Sequence, residues 1–72
     1  MIAQKKYCEI VLNDPNILGE LIKKMGREMR LQSIESALKR GNASIRRTAA
    51  FIETLEYAGY KKEEIIEKER EL

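Results

Sequence analysis

Residues 31–59 read LQSIESALKRGNASIRRTAAFIETLEYAG, and the glycine near the middle of this stretch decides the fold. Leu31, Ile34, Ala37 and Leu38 recur at three- and four-residue intervals, the period of a helix with one face in a core. Lys39 and Arg40 follow, where a helix C-terminus favours positive charge, and Gly41 supplies the left-handed residue that ends such a helix. Asn42 or Ser44 can then cap a second helix, with Ile45, Thr48, Ala49, Phe51, Ile52, Leu55 and Ala58 as its inner face. Gly59 closes that helix, and Tyr60 stands where an apolar residue packs back on the cap. The spacing predicts two amphipathic helices, over 31–40 and about 43–58, joined by a tight turn.

Upstream, Asp14 and Pro15 form a strong helix start, a capping carboxylate before a residue whose missing N–H costs nothing at the first helical position. Ile17, Leu18, Leu21, Ile22, Met25 and Met29 then fall within a stripe of about 140°. Gly19 and Gly26 interrupt this helix, either as weak points or as a close helix–helix contact. The face that begins at Leu31 is rotated far from this stripe, so a bend or break is expected near residues 27–32. The first dozen residues read two ways. Wound as a helix, they put Ala3, Tyr7, Ile10 and Val11 on one side; laid out as a strand, they alternate Cys8, Ile10 and Leu12 with Tyr7, Glu9 and Val11. After Tyr60, the run KKEEIIEKEREL is predicted to be a charged terminal helix over 61–72, docked by Ile65 and Ile66. The fold class expected is all-α: one domain over 1–72, a small bundle of four to five short helices, with the N-terminal segment helix or strand.

With 72 residues the chain is long enough for one domain. A domain of this size buries only about 60% of the surface its unfolded chain exposes, so the core is thin and a homodimer is expected. Cys8 is the only cysteine, which fits a reducing compartment. The N-terminus has no apolar run of signal-peptide length, and no segment approaches the roughly 18 apolar residues of a membrane span, so the sequence predicts a cytoplasmic protein without membrane contact. Histidine is absent, and with it the commonest general base and nitrogen metal ligand. Cys8 has no histidine to activate it, and the glutamates of the tail are interleaved with lysine and arginine as on a solvated helix face. No phosphate loop, dinucleotide fingerprint or metal-ligand spacing is present. The expectation is a protein that is not an enzyme, with no catalytic residue, no cofactor and no metal.

Charge is distributed unevenly. The formal net charge is +2, yet residues 23–47 carry eight of the fourteen basic residues against Glu28 and Glu35, while the segment from 48 onward is acidic. Helices 31–40 and 43–58 with a glycine turn have the outline of a helix-turn-helix unit. On the second helix, Arg46, Arg47 and Ala50 would point away from the apolar stripe, the first two toward phosphates and Ala50 small enough for close approach. Lys39 and Arg40 support them at the turn, and Ser44 sits at a helix N-terminus that favours phosphate. Ala37 and Gly41 resemble the alanine and glycine of the helix-turn-helix repressor signature, a resemblance over about 25 residues that identifies no family. The stretches VLNDP and LQSIESAL are similar, in turn, to the strand-to-helix start and second helix of ribbon-helix-helix dimers, in which paired strands enter the major groove. The expected function is a small intracellular regulatory protein that binds nucleic acid through residues 23–47, with Lys39, Arg40, Ser44, Arg46, Arg47 and Ala50 as candidate contacts. The alternative is a non-catalytic regulator or adaptor that docks on a larger protein through an amphipathic surface, where Met25 and Met29 suit an irregular contact.

Overall fold

The computed structural model describes residues 1–67, and among them are six helices: α1 (Lys6–Asn13), α2 (Pro15–Met25), α3 (Leu31–Arg40), α4 (Ala43–Arg46), α5 (Ala49–Tyr57) and α6 (Lys62–Ile65). The two readings of the N-terminus resolve in favour of the helix. Tyr7, Cys8 and Val11 are buried on one face of α1, a three- and four-residue spacing that a strand would have split between two faces. The ribbon-helix-helix resemblance thereby loses its strand.

Asp14 turns the chain from α1 into α2. Its Oδ1 accepts hydrogen bonds from the N–H groups of Asn16, at 3.0 Å, and Ile17, at 3.3 Å, with Pro15 as first helical residue. Ile17, Leu21 and Met25 are buried along α2, and Leu18, Ile22 and Met29 pack partly buried against the same core. The break expected near 27–32 is present, since α2 stops at Met25 and α3 starts at Leu31. In α3, Ile34, Ala37 and Leu38 face inward, but Leu31, expected on that face, is 49% exposed.

Gly41 ends α3 with φ +65°. Its N–H donates to the Leu38 carbonyl at 3.1 Å and the Asn42 N–H to the Ala37 carbonyl at 3.0 Å, the paired bonds of a left-handed helix stop. Gly59, at φ +108°, ends α5 the same way, with Gly59 N–H on the Glu56 carbonyl and Tyr60 N–H on the Leu55 carbonyl. Tyr60 then packs back as expected, meeting Tyr7 edge to face with ring centroids 5.3 Å apart.

The single helix expected over 43–58 is two. Thr48 breaks it: its hydroxyl donates to the Ile45 carbonyl at 2.7 Å, closing α4, and accepts from the Phe51 N–H at 3.2 Å, capping α5. Its backbone is extended there, so the direction of the helix changes at this residue. The inner face changes with it. Ala49 and Ala58 are exposed, whereas Thr54 is buried with its hydroxyl donating to the Ala50 carbonyl at 2.6 Å.

α1 packs on α2 and α3, and α2 packs on α5. Phe51, Leu21, Ile34, Ile45, Leu55, Ile65 and Val11 fill the space between. The described part of the terminal segment is helical only over Lys62–Ile65; Ile66 is extended and bridges Ala3 in antiparallel fashion. Residues 68–72 of the expected terminal helix lie outside the described residues. Gln4 N–H donates to the Ile65 carbonyl and Glu67 N–H to the Ile2 carbonyl, both at 2.8 Å, so the two terminal segments hold each other.

Two glycines should respond oppositely to alanine. A Cβ at Gly19 would meet nothing within 4 Å, so the close-contact reading fails and Gly19→Ala should stabilise by up to about 1 kcal/mol. At Gly41 the left-handed backbone alone should cost about 1–2 kcal/mol, and the new Cβ would also displace the Lys5 stem that lies across it. Urea denaturation of both variants measures the contrast; a stabilised Gly41→Ala would contradict the helix stop.

Candidate nucleic-acid interface

The six candidate contacts do not form one surface. Arg46, expected to point outward, is turned in. Its Nε donates to the Gly41 carbonyl and its Nη1 to the Ala3 carbonyl, both at 3.0 Å, and Nη1 lies 3.7 Å from the Glu67 carboxylate. The side chain is 14% exposed, and the Arg46 carbonyl accepts from Ala3 N–H at 2.9 Å. This guanidinium ties the α3 stop, the N-terminal segment and the C-terminal segment together. The outward orientation inferred from one continuous helix is corrected by the short α4, which places Arg46 at its last turn beside Ala3.

Arg47 is exposed at the end of α4, while Ala50 is half-buried against the core. A straight recognition helix carrying Arg46, Arg47 and Ala50 side by side is therefore absent among the described residues. Ser44 is exposed, but α4 has only four residues, too few for the aligned peptide dipoles that attract phosphate at a long helix.

Lys39 and Arg40 are exposed on opposite flanks of the α3 stop. Arg40 borders a shallow groove of about 450 Å³ with Gln32, Ser33, Ser36, Asn42 and Ser44. Among the described residues no carboxylate lines this groove; its polar side chains are hydroxyls, amides and one guanidinium. Lys39 borders a second groove with Lys5 and Lys6 from the start of α1, over a floor that includes Leu12 and Leu38. Among the described residues Glu9 is the one acidic side chain on its lining. The other basic residues of the 23–47 segment are exposed before α3: Lys23 and Lys24 in the last turn of α2, where Lys23 pairs with Glu20 at 3.7 Å, and Arg27 and Arg30 in the connection, Arg30 at the N-cap of α3. The length of α3, roughly 15 Å, separates Arg30 from Lys39 and Arg40.

Gln32, Ser33 and Ser36 were legible in principle, because the inward set Ile34, Ala37 and Leu38 leaves them on the opposite face of the same helix. Lys5 and Lys6 were not, since only the packing of α1 on α3 brings them beside Lys39.

Cys8 is buried, and burial pushes its thiol above the usual range, although Arg46 and Lys5 act in the opposite direction. It stays a neutral thiol at physiological pH, which suits a core residue and not a nucleophile. Burial also raises Tyr7, with the Glu64 carboxylate acting in the same direction, and its phenol keeps the proton it donates to the Glu64 carbonyl at 3.2 Å. Among the described residues no group of three or more histidine, cysteine or carboxylate side chains could hold a metal ion, and no helix is long and apolar enough to cross a membrane. Comparison with known proteins finds no match to a family model, to a curated protein or to a solved structure.

Proposed function

We propose that the protein is a small regulatory nucleic-acid-binding protein that meets its ligand with the outward face of α3 and the α3–α4 junction. The observation that carries this reading is the groove bounded by Gln32, Ser33, Ser36, Arg40, Asn42 and Ser44, with Met29 and Ala37 as its apolar part and, among the described residues, without a carboxylate. Hydroxyl and amide side chains donate to phosphate oxygens and read base edges, and Arg40 and Lys39 supply charge at one end of the helix. Arg30, the N-cap residue of α3, supplies it at the other. Relative to the sequence expectation, the contact helix is α3 and Arg46 is replaced by Arg40 as the leading arginine.

The cytoplasmic setting and the homodimer belong to the same proposal. They are supported by the single reduced-state cysteine, by the thin core, and by Leu31, the exposed apolar residue at the start of α3. A second reading, docking on a larger protein, is favoured by Tyr57, which is 77% exposed on α5 beside a groove lined by Ile17 and Ala58.

Salt-dependent fluorescence anisotropy separates the readings. Removing one phosphate-binding cation should lower the slope of log affinity against log salt by about 0.9 on duplex DNA, so Lys39→Gln with Arg40→Gln should lower it by roughly 1.8. Absence of binding to duplex DNA, single-stranded DNA and RNA at low salt would remove the nucleic-acid reading and leave the protein-docking one.

A further inference from the structure

Lys5 and Lys6 line two cavities at once. On one side they meet Lys39 across the groove beside Gly41; on the other they face Glu63, Glu64 and Glu67 across a cavity that Arg46 also lines. The carboxylates are brought there by the backbone, through the Ala3–Ile66 bridge, and Ile65 is the buried anchor of the segment. The three glutamates are exposed, and of the three only Glu67 pairs with a cation among the described residues, with Arg46 at 3.7 Å. The segment therefore faces the lysines with negative charge across an open cavity, where the field acts at a distance and, among the described residues, no close ion pair holds Lys5 or Lys6.

We propose that residues 61–67 form an acidic strap that competes with nucleic-acid phosphates for Lys5 and Lys6, an autoinhibitory contact that rests on the nucleic-acid reading above. A duplex seated on α3 and the junction carries its backbone toward Lys39 and the neighbouring lysines of α1. Phosphates there meet the carboxylates of the strap, which lower the local positive potential without closing the groove. Three features make this a competitor and not only a structural tie. The carboxylates face Lys5 and Lys6, which make no ion pair among the described residues although Lys6 lies over the Tyr7 ring at 5.4 Å; they are exposed; and the bonds that hold the strap run mainly to its backbone, from Gln4 and Tyr7 to the Ile65 and Glu64 carbonyls and from Glu67 N–H to Ile2, so that neutralising Glu63 and Glu64 leaves them in place. Displacing the strap extends the basic surface from the junction onto the start of α1.

The test uses the full chain and a duplex of about 25 base pairs at roughly 0.1 M salt, where charges more than about 10 Å apart are screened. Glu63→Gln, Glu64→Gln and Glu67→Gln together keep the backbone contacts and should tighten binding about tenfold. The salt slope should steepen by roughly 1.8 as Lys5 and Lys6 engage phosphates. Adding Lys5→Gln and Lys6→Gln to that variant should return both quantities to the parent values. Glu53→Gln and Glu56→Gln, a loss of two negative charges on α5 away from the strap, should change affinity less than about twofold. If the parent binds and the strap variant binds no tighter than this control, the strap proposal is overturned and the nucleic-acid reading stands. If no variant binds at any salt, both fall.

Discussion

Replacing Arg46 with alanine should destabilise the protein by roughly 2–4 kcal/mol, although a helical projection places this residue on the surface. The guanidinium makes two charge-assisted hydrogen bonds to backbone carbonyls, of Gly41 and Ala3, both at 3.0 Å and both part-buried. Each such bond is stronger than a neutral one, and its loss leaves a carbonyl to be solvated through a cleft that the arginine now fills. The Glu67 pair, with its carboxylate half-exposed, adds little. At 0.05–0.15 kcal/mol per residue, a 72-residue domain has roughly 4–11 kcal/mol in total, so the variant should lose a large share of it. A fall in Tm of roughly 10–30 °C is expected. Arg46→Lys should recover less than half, since one ammonium cannot span both carbonyls with the geometry of a planar fork. Arg47→Ala, one residue on and exposed, should stay within about 0.5 kcal/mol of the parent. Equal effects at 46 and 47 in chemical denaturation would sink the assignment. The same reasoning makes Arg46→Ala unsuitable as a binding probe, because binding would be lost through the fold.

The fate of Arg46 also shows where sequence reasoning reaches and where it stops. Local signals carried far. Asp14 with Pro15, Gly41, and Gly59 with Tyr60 each act within a few residues, and the structure has the cap and both left-handed stops at those positions. The apolar stripe of α2 was legible for the same reason. What failed was the continuity of a helix through Thr48. A threonine inside an apolar run reads equally as a core-facing residue or as a cap, and here Phe51 occupies the position where a glutamate would have marked a capping box. Once the helix is broken, every orientation assigned by a single projection over 43–58 becomes unreliable, and Arg46, Ala49, Ala50, Thr54 and Ala58 are residues it misplaced. Lys5, Lys6 and the strap depend on contacts between residues some sixty positions apart, such as Gln4 with Glu64, which no local pattern encodes. The candidate surface was thus legible in its charge and illegible in its shape.

Phe51→Ala should have the largest effect of any single truncation, about 3–5 kcal/mol. Phe51 is the only phenylalanine, is 0% exposed, and stands in the first turn of α5, the helix that packs on α2. The cost combines the transfer of the ring to water with the void left behind, and a thin core has few neighbours to fill that void. Against a total of roughly 4–11 kcal/mol, the loss would leave a substantial unfolded population at 37 °C. Phe51→Leu should retain more than half of the lost stability, because most of the apolar volume stays. The cap couples this site to Thr48, whose hydroxyl accepts the Phe51 N–H and donates to the Ile45 carbonyl. Thr48→Ala alone should cost about 1 kcal/mol. In combination with Phe51→Ala it should cost less than the sum, since without the ring α5 has less reason to hold the direction that the cap imposes. Guanidinium denaturation of the two single variants and the double measures the coupling directly. Strict additivity would mean that the break at Thr48 and the packing of Phe51 are independent, and a Phe51→Ala cost below about 1.5 kcal/mol would show that α5 does not bury its first turn against α2.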